Sequence, residues 1–188
     1  MPISERFYIA GVRGLRALSP LLARGESKLA VGVRGREGAA RRLVAWGRKR
    51  EAGPLVWFHA PSVGEGLVAK AVMEALGREA AGIRTVFTHF SPSAEALAAR
   101  IGAAAHDYLP WDVPSEVGPV LDALTPSMVA FTKTEVWPVL SREALRRGIP
   151  TVLVGAALPE GSSRLSALAR PFLEPAFGRL AAVHAIAE

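Results

Sequence analysis

The chain has no cysteine. That excludes a disulfide framework, a thiolate zinc site and a cysteine nucleophile, and it fits a reducing compartment. Its four histidines (His59, His89, His106 and His184) stand apart, with no pair at metal-ligand spacing, and read as structural. No Gly-x-Gly-x-x-Gly follows a strand pattern and no P-loop lysine motif occurs, which argues against a dinucleotide or nucleoside-triphosphate site here. Ser62 is not in a Gly-x-Ser-x-Gly elbow, so a hydrolase is a poor fit. Long apolar runs are missing from the N-terminus, where arginines interrupt residues 5–24 well short of the ~20 residues that span a bilayer. The same interruptions, with no cleavage site after them, make a signal peptide a poor fit. No helix-turn-helix or other reader module accompanies the basic residues, so no nucleic-acid partner is expected.

What is present is one globular chain of 188 residues, half hydrophobic and a fifth charged. The net charge of +6 hides an asymmetry. Residues 1–50 carry twelve Lys/Arg against three Glu, and residues 51–188 carry eleven against fourteen acids. A segment at +9 ahead of a body at −3 points to an anionic partner. On a helical wheel Tyr8, Leu15, Leu18 and Leu22 fall on one side of residues 5–24, and Arg6, Arg13, Arg16 and Arg24 on the other. Pro20 breaks or restarts this helix. Two readings share that pattern: an interfacial helix whose arginines meet anionic lipid, or a helix packing its leucines on the protein body with solvated arginines. Residues 25–53, with Gly32, Gly35 and Gly38, read as a basic connecting segment with one short helix around Ala39–Trp46. The expected division is therefore residues 1–50 as membrane-associating helix and connector, and 51–188 as the folded domain.

From residue 54 strand and helix patterns alternate. Strands are expected at 55–60, 84–90, 106–109, 128–132, 151–155 and 182–187. Helices are expected between them at 66–80, 94–101, 114–124, 136–147 and 165–179. Short connections between alternating elements define an α/β fold with a doubly wound, parallel, Rossmann-like sheet. The strands' carboxyl ends gather Ser62 and Glu65, then Thr88, His89, Ser91 and Ser93, then Asp112, Lys133 and Glu135, then Ser162 and Ser163. Open α/β sheets hold their ligands along that edge. Within Trp57-Phe58-His59-Ala60-Pro61-Ser62-Val63-Gly64-Glu65, an apolar strand ends at a proline and a helix begins. Glu65 sits in the first helical turn, where the dipole favours a charged carboxylate. Such a group serves either as a general base for a hydroxyl or as a capping acid.

Four segments then arrive in order: His59-Ala60-Pro61-Ser62-Val63-Gly64-Glu65, Thr88-His89-Phe90-Ser91-Pro92-Ser93, His106-Asp107-Tyr108-Leu109-Pro110-Trp111-Asp112-Val113-Pro114, and Thr134-Glu135-Val136-Trp137-Pro138. In order and spacing they resemble the N-terminal half of the 3-deoxy-D-manno-octulosonic-acid (Kdo) transferases of lipopolysaccharide assembly. The resemblance runs from about residue 7 to the end. It implies the N-terminal half of a GT-B, inverting glycosyltransferase that needs no metal or other cofactor. This half receives a lipid A precursor, and a C-terminal domain binds the donor CMP-Kdo. It implies Glu65 as the proton acceptor, with Ser62, Gly64, Ser91, Ser93, Lys133 and Glu135 lining the acceptor cleft. It also implies a position on the cytoplasmic face of the bacterial inner membrane, peripheral or anchored by the N-terminal helix, with Arg6, Arg13, Arg16 and Arg24 against anionic lipid.

Three departures stand out. The family's Glu-Thr-Glu-x-Trp-Pro is here Lys133-Thr134-Glu135-Val136-Trp137-Pro138, reversing a charge assigned to transition-state stabilisation. Lys133 has three readings: attracting the donor carboxylate, attracting a lipid phosphate, or pairing with Glu135. The family's Asn-Ala-Arg-Leu-Ser is Gly155-Ala156-Ala157-Leu158-Pro159, without the arginine, and a family glycine is Ala94. These departures raise a second reading, a non-catalytic module that binds anionic lipid. The sequence ends at Glu188, where the family crosses into its donor domain, so the isolated chain is expected to be inactive.

Overall fold

β1 (Leu55–His59) is buried at every residue, because β2 (Arg84–His89) and β4 (Met128–Thr132) flank it and helices cover both faces. The computed structural model describes residues 2–157 and 170–185. β3 (Ala105–Tyr108), β5 (Thr151–Ala156) and β6 (Ala182–Ala185) complete a six-stranded sheet of order β3-β2-β1-β4-β5-β6. Every pairing is parallel. The strand order reverses between β1 and β4, which creates a crevice at their carboxyl ends.

Period-two alternation divides the core. Leu55, Trp57, Val86, Val129, Phe131 and Leu153 point to one face, where α4 (Ala39–Lys49), α7 (Pro114–Leu124) and α8 (Pro138–Arg146) pack. Val56, Phe58, Phe87, Ala130 and Val152 point to the other, with Ala69 and Met73 of α5 (Val63–Glu79) and Ala98 of α6 (Glu95–Ala98). Each fully buried aromatic side chain among these contributes about 2–3 kcal/mol of transfer free energy.

The first fifty residues are more ordered than a connector. α1 (Ile3–Ala17) and α2 (Ser19–Leu22) are followed by α3 (Lys28–Arg36) and α4. Ile9 and Leu43 belong to the same buried cluster as Trp57. Of the glycines expected to mark a connector, Gly38 is the left-handed N-cap of α4, whereas Gly35, like Gly47 within α4, is a close-approach site. A Cβ at Gly35 would stand 2.3 Å from the Tyr108 ring, and one at Gly47 would stand 2.7 Å from the Ala123 carbonyl oxygen. Glycine lets α3 sit on β3 and α4 on α7, so here it specifies packing.

The arrangement of α1 also differs from the wheel. Its inward face is Glu5, Tyr8, Ile9 and Val12, at helical spacing, while Leu15 and Leu18 are about half exposed. Tyr8 faces inward because its hydroxyl donates to buried Asp112 (3.0 Å). Buried Glu5 faces Arg142 (3.3 Å) and Arg179 (3.1 Å), which locks α1 to α8 and to the turn after α9 (Arg170–Phe177). The expected residue 165–179 helix is described from Arg170 onward, and Ser162 and Ser163 lie outside the described residues.

Candidate functional site

Pro61 ends β1, and α5 begins at once with Ser62 as N-cap. The Ser62 side chain caps no backbone N–H; its hydroxyl donates to Glu65 Oε2 at 2.6 Å. The carboxylate one turn into α5 is thus held by a hydroxyl at the helix mouth and is half-buried. Gly64 is exposed, and a Cβ there would meet nothing within 4 Å, so the space beside it is open.

The loop after β2 closes on this turn. Phe90 and Ser91 donate their backbone N–H groups to the Pro61 carbonyl at 3.3 and 2.8 Å. Ser91 and Ser93 share a 2.8 Å hydroxyl contact, and the Ser93 N–H donates to Ser91 Oγ. Ser62, Gly64, Glu65, Ser91 and Ser93 therefore occupy one corner.

A second corner forms after β4. Lys133 takes the left-handed conformation (φ 56°), uncommon for a residue with a Cβ, and its N–H donates to the Val154 carbonyl (2.9 Å). Strained backbone at a strand's carboxyl end is a feature that folded cores tolerate mainly at sites of function. Glu135 lines a small pocket of about 170 Å³ with Tyr8, Thr134, Val136, Trp137, Pro138 and Leu173, away from the serine corner. Aromatic rings bridge the corners. Phe90 stacks on Trp137 (centroids 5.4 Å apart), and Trp137 meets the edge of His59 at 5.7 Å.

The groups beneath this edge are held neutral or pinned. Thr88 Oγ1 accepts from Trp57 Nε1 (2.9 Å), donates to the Phe58 carbonyl (3.4 Å) and lies 3.1 Å from His59 Nδ1. Burial lowers His59 to about 3 and His89 to about 4, so both rings are neutral at pH 7. Asp112 caps α8 from outside, accepting from the N–H groups of Val139 (3.0 Å) and Leu140 (2.8 Å) as well as from Tyr8. Desolvation raises it to about 6, while those bonds work in the opposite direction.

Of the four expected membrane arginines, Arg6, Arg13 and Arg24 are exposed, and Arg16 pairs with Glu116 at 2.8 Å. Sequence reasoning missed Arg36. It is buried, donates Nε–H to the Leu109 carbonyl (2.9 Å), and lies over Phe90 (4.0 Å) and Trp111 (5.1 Å). Nothing within the basic run separates it from its neighbours. Only its place one residue after the Gly35 contact marks it as inward.

A parallel sheet of this order, with polar turns at the β1/β4 reversal, is that of a Rossmann-like ligand-binding domain. Solved structures share the fold: a UDP-N-acetylglucosamine 2-epimerase of Listeria monocytogenes superposes with a TM-score of 0.51 at 11% identity, over 71% of this chain and 39% of that one. The family model of 3-deoxy-D-manno-octulosonic-acid transferase (kdotransferase) matches residues 35–188, and the chain belongs to that family. The 3-deoxy-D-manno-octulosonic acid transferase of Haemophilus influenzae is 31% identical over 110 residues, 57% of this chain and 26% of the relative. That of Chlamydia pneumoniae is 30% identical over 135 residues, 68% of this chain and 31% of the relative. The chain thus spans less than a third of the length of these curated relatives.

Proposed function

We propose that this chain is the acceptor-binding part of an inverting glycosyltransferase that moves Kdo from CMP-Kdo to a lipid A precursor. The observation that carries this reading is the Ser62–Glu65 pair at the switch-point crevice, with its carboxylate half exposed and held by a hydroxyl. Glu65 takes the proton from an acceptor hydroxyl. That oxygen forms a bond to the anomeric carbon of Kdo as the bond from that carbon to the CMP phosphate breaks, and CMP leaves. Ser62 keeps the carboxylate aimed outward. Gly64, Ser91 and Ser93 line the open side for the acceptor sugar, and Glu135 borders the far corner. Lys133 stands where the family carries an acid, and its ammonium attracts the donor carboxylate or a phosphate. The donor itself is held by a second domain of the full-length protein.

The N-terminal helices bring this edge to the cytoplasmic face of the inner membrane. Ile3 (72%), Phe7 (68%) and Leu21 (57%) are exposed, beside Arg6, Arg13 and Arg24. An apolar ridge flanked by arginines suits the boundary of an anionic leaflet, where each cation adds about 1 kcal/mol. Among the described residues no helix is long and apolar enough to cross a membrane.

The second reading, a non-catalytic module for anionic lipid, is favoured by Lys133 and by Ala157 in place of the family arginine. The deciding experiment supplies the full-length protein with CMP-Kdo and a lipid A precursor and weighs the product. A mass gain of one Kdo or more is the expected result. Vesicle binding without transfer to any acceptor would establish the module instead.

A further inference from the structure

A cavity of about 800 Å³ lies between α1, α2, α3, α4 and α7. Neither Glu65 nor Ser62, Ser91 or Ser93 lines it: α4 and α7 cover the sheet face opposite α5, the helix that carries Glu65, and α3 borders the Ser91–Ser93 turn through Gly32 beside Pro92 and Arg36 over Phe90. Four arginines line the cavity, Arg13, Arg16, Arg36 and Arg41, against two acids, Glu37 and Glu116. Glu116 is committed to Arg16 and to the Trp111 N–H. Arg13 and Arg41 have no hydrogen-bonded or ion-paired partner among the described residues.

Arg36 is the most informative of the four. Its residue exposure is 6%, yet among the described residues only its Nε–H is hydrogen-bonded and no carboxylate pairs with its fork. Desolvation lowers it to about 10, and the Glu116 carboxylate, which is already paired with Arg16, offsets only part of that cost. Phe90 and Trp111 fix its guanidinium plane from the side, which orders the fork before any ligand arrives. Two helix starts reach the same space. α4 begins after Gly38 and α7 after Val113, neither with a capping side chain, and Gly38, Ala40, Arg41, Ser115 and Glu116 line the wall. The uncapped first turn of α4 adds its N–H groups and dipole end to the arginine field, whereas α7 opens on Pro114, which has no N–H, and donates its Glu116 N–H to the Val113 carbonyl.

We propose that this cavity binds a phosphate monoester carried by a lipid, at a site separate from the Glu65 corner. A monoester brings close to two negative charges and three terminal oxygens, which suits several arginine forks and helix N–H groups. A diester brings one charge and fewer free oxygens. The lipid is implied by the rim: α1 and α2 supply Arg13, Arg16 and Ser19 to the wall and also expose Leu15, Leu18 and Leu21.

The test is vesicle binding by the purified protein. Phosphatidylcholine vesicles carry either phosphatidic acid or phosphatidylglycerol, adjusted to equal surface charge. The expected result is about tenfold tighter binding to the phosphatidic acid vesicles. The double variant Arg13→Gln/Arg41→Gln, which leaves the Arg36–Leu109 tie intact, abolishes that preference. Arg6→Gln/Arg24→Gln removes the same charge outside the cavity, so it weakens binding to both vesicles and keeps the preference. Equal binding to the two vesicles in the wild type would overturn the proposal, as would an equal fall in preference in both double variants. Glycerol 3-phosphate separates the sources. Failure to displace the protein supports the lipid-borne ligand, whereas displacement dependent on Arg13 and Arg41 supports the monoester site and overturns the lipid requirement. Glu65→Gln retains the preference, so failure of the transferase reading and failure of this one are distinguishable.

Discussion

The turn after β1 and the turn after β4 face each other across the switch-point crevice and are built by different means. The first is local. Ser62 and Glu65 are three residues apart, their bond forms within one helical turn, and the backbone there is ordinary apart from an extended N-cap. The second is assembled from a distance. Lys133 is held in a left-handed conformation, and α8 is capped by Asp112, 27 residues before Val139. Local chemistry can be preserved by a short motif, and that motif is intact here. The second turn depends on partners far apart in sequence, and it holds Lys133, where the family resemblance implies an acid.

The comparison can be broken most severely at Asp112. Asp112→Ala strands two N–H groups of α8 and the Tyr8 hydroxyl, and should cost about 3 kcal/mol, read as a lower urea midpoint. The same change should leave the Ser62–Glu65 turn in place. An unchanged midpoint would mean that α8 is not capped through this contact.

Acid should come next. His59 and His89 have folded values depressed to about 3 and about 4, so the unfolded chain takes up protons first. Their contribution is complete above about pH 6.5 and is lost as pH falls toward 4, where the unfolded state binds the extra protons. Asp112 runs the other way: raised to about 6, its contribution is present below about pH 4 and lost as pH rises through 6. The two histidines outweigh the one acid, so stability should fall on acidification from pH 6.5. His89→Gln should move the acid midpoint lower, which thermal melts across that range would record.

Smaller effects sharpen the contrast. Ser62→Ala removes the bond that orients Glu65 and should slow transfer about tenfold, or roughly 1.4 kcal/mol, with no loss of stability beyond a few tenths. Lys133→Gly relieves the left-handed strain and should stabilise the fold by about 0.5–1 kcal/mol in urea titrations. A destabilised Lys133→Gly would show that the lysine side chain supports the turn.

The sequence carried the sheet well because each strand was a short apolar run bounded by turns, and six such runs separated by helical patterns admit few topologies. β1, β2, β4 and β5 lie within a residue of their expected ends. The Ser62–Glu65 corner was legible for the same reason, since motif and contact lie within one turn. The N-terminal segment was not. Its arginines look alike in sequence, yet Arg36, Arg42 and Arg50 reach the Leu109 carbonyl, Asp107 and the Leu124 carbonyl, while Arg6 and Arg24 stay in solvent. Those acceptors are 65 to 74 residues away, and no local pattern announces them. α1 was turned on its axis because Tyr8 follows Asp112, and its leucines do not follow the core.

The most direct measurement is single-turnover Kdo transfer by the full-length protein carrying Glu65→Gln or Lys133→Ala, with donor binding measured alongside. The account predicts a loss of about 100-fold or more for Glu65→Gln at unchanged donor affinity, and a loss of about tenfold or less for Lys133→Ala. A Glu65→Gln protein that transfers at nearly the wild-type rate, beside a Lys133→Ala protein that does not transfer, would contradict it and move the chemistry to the β4 corner.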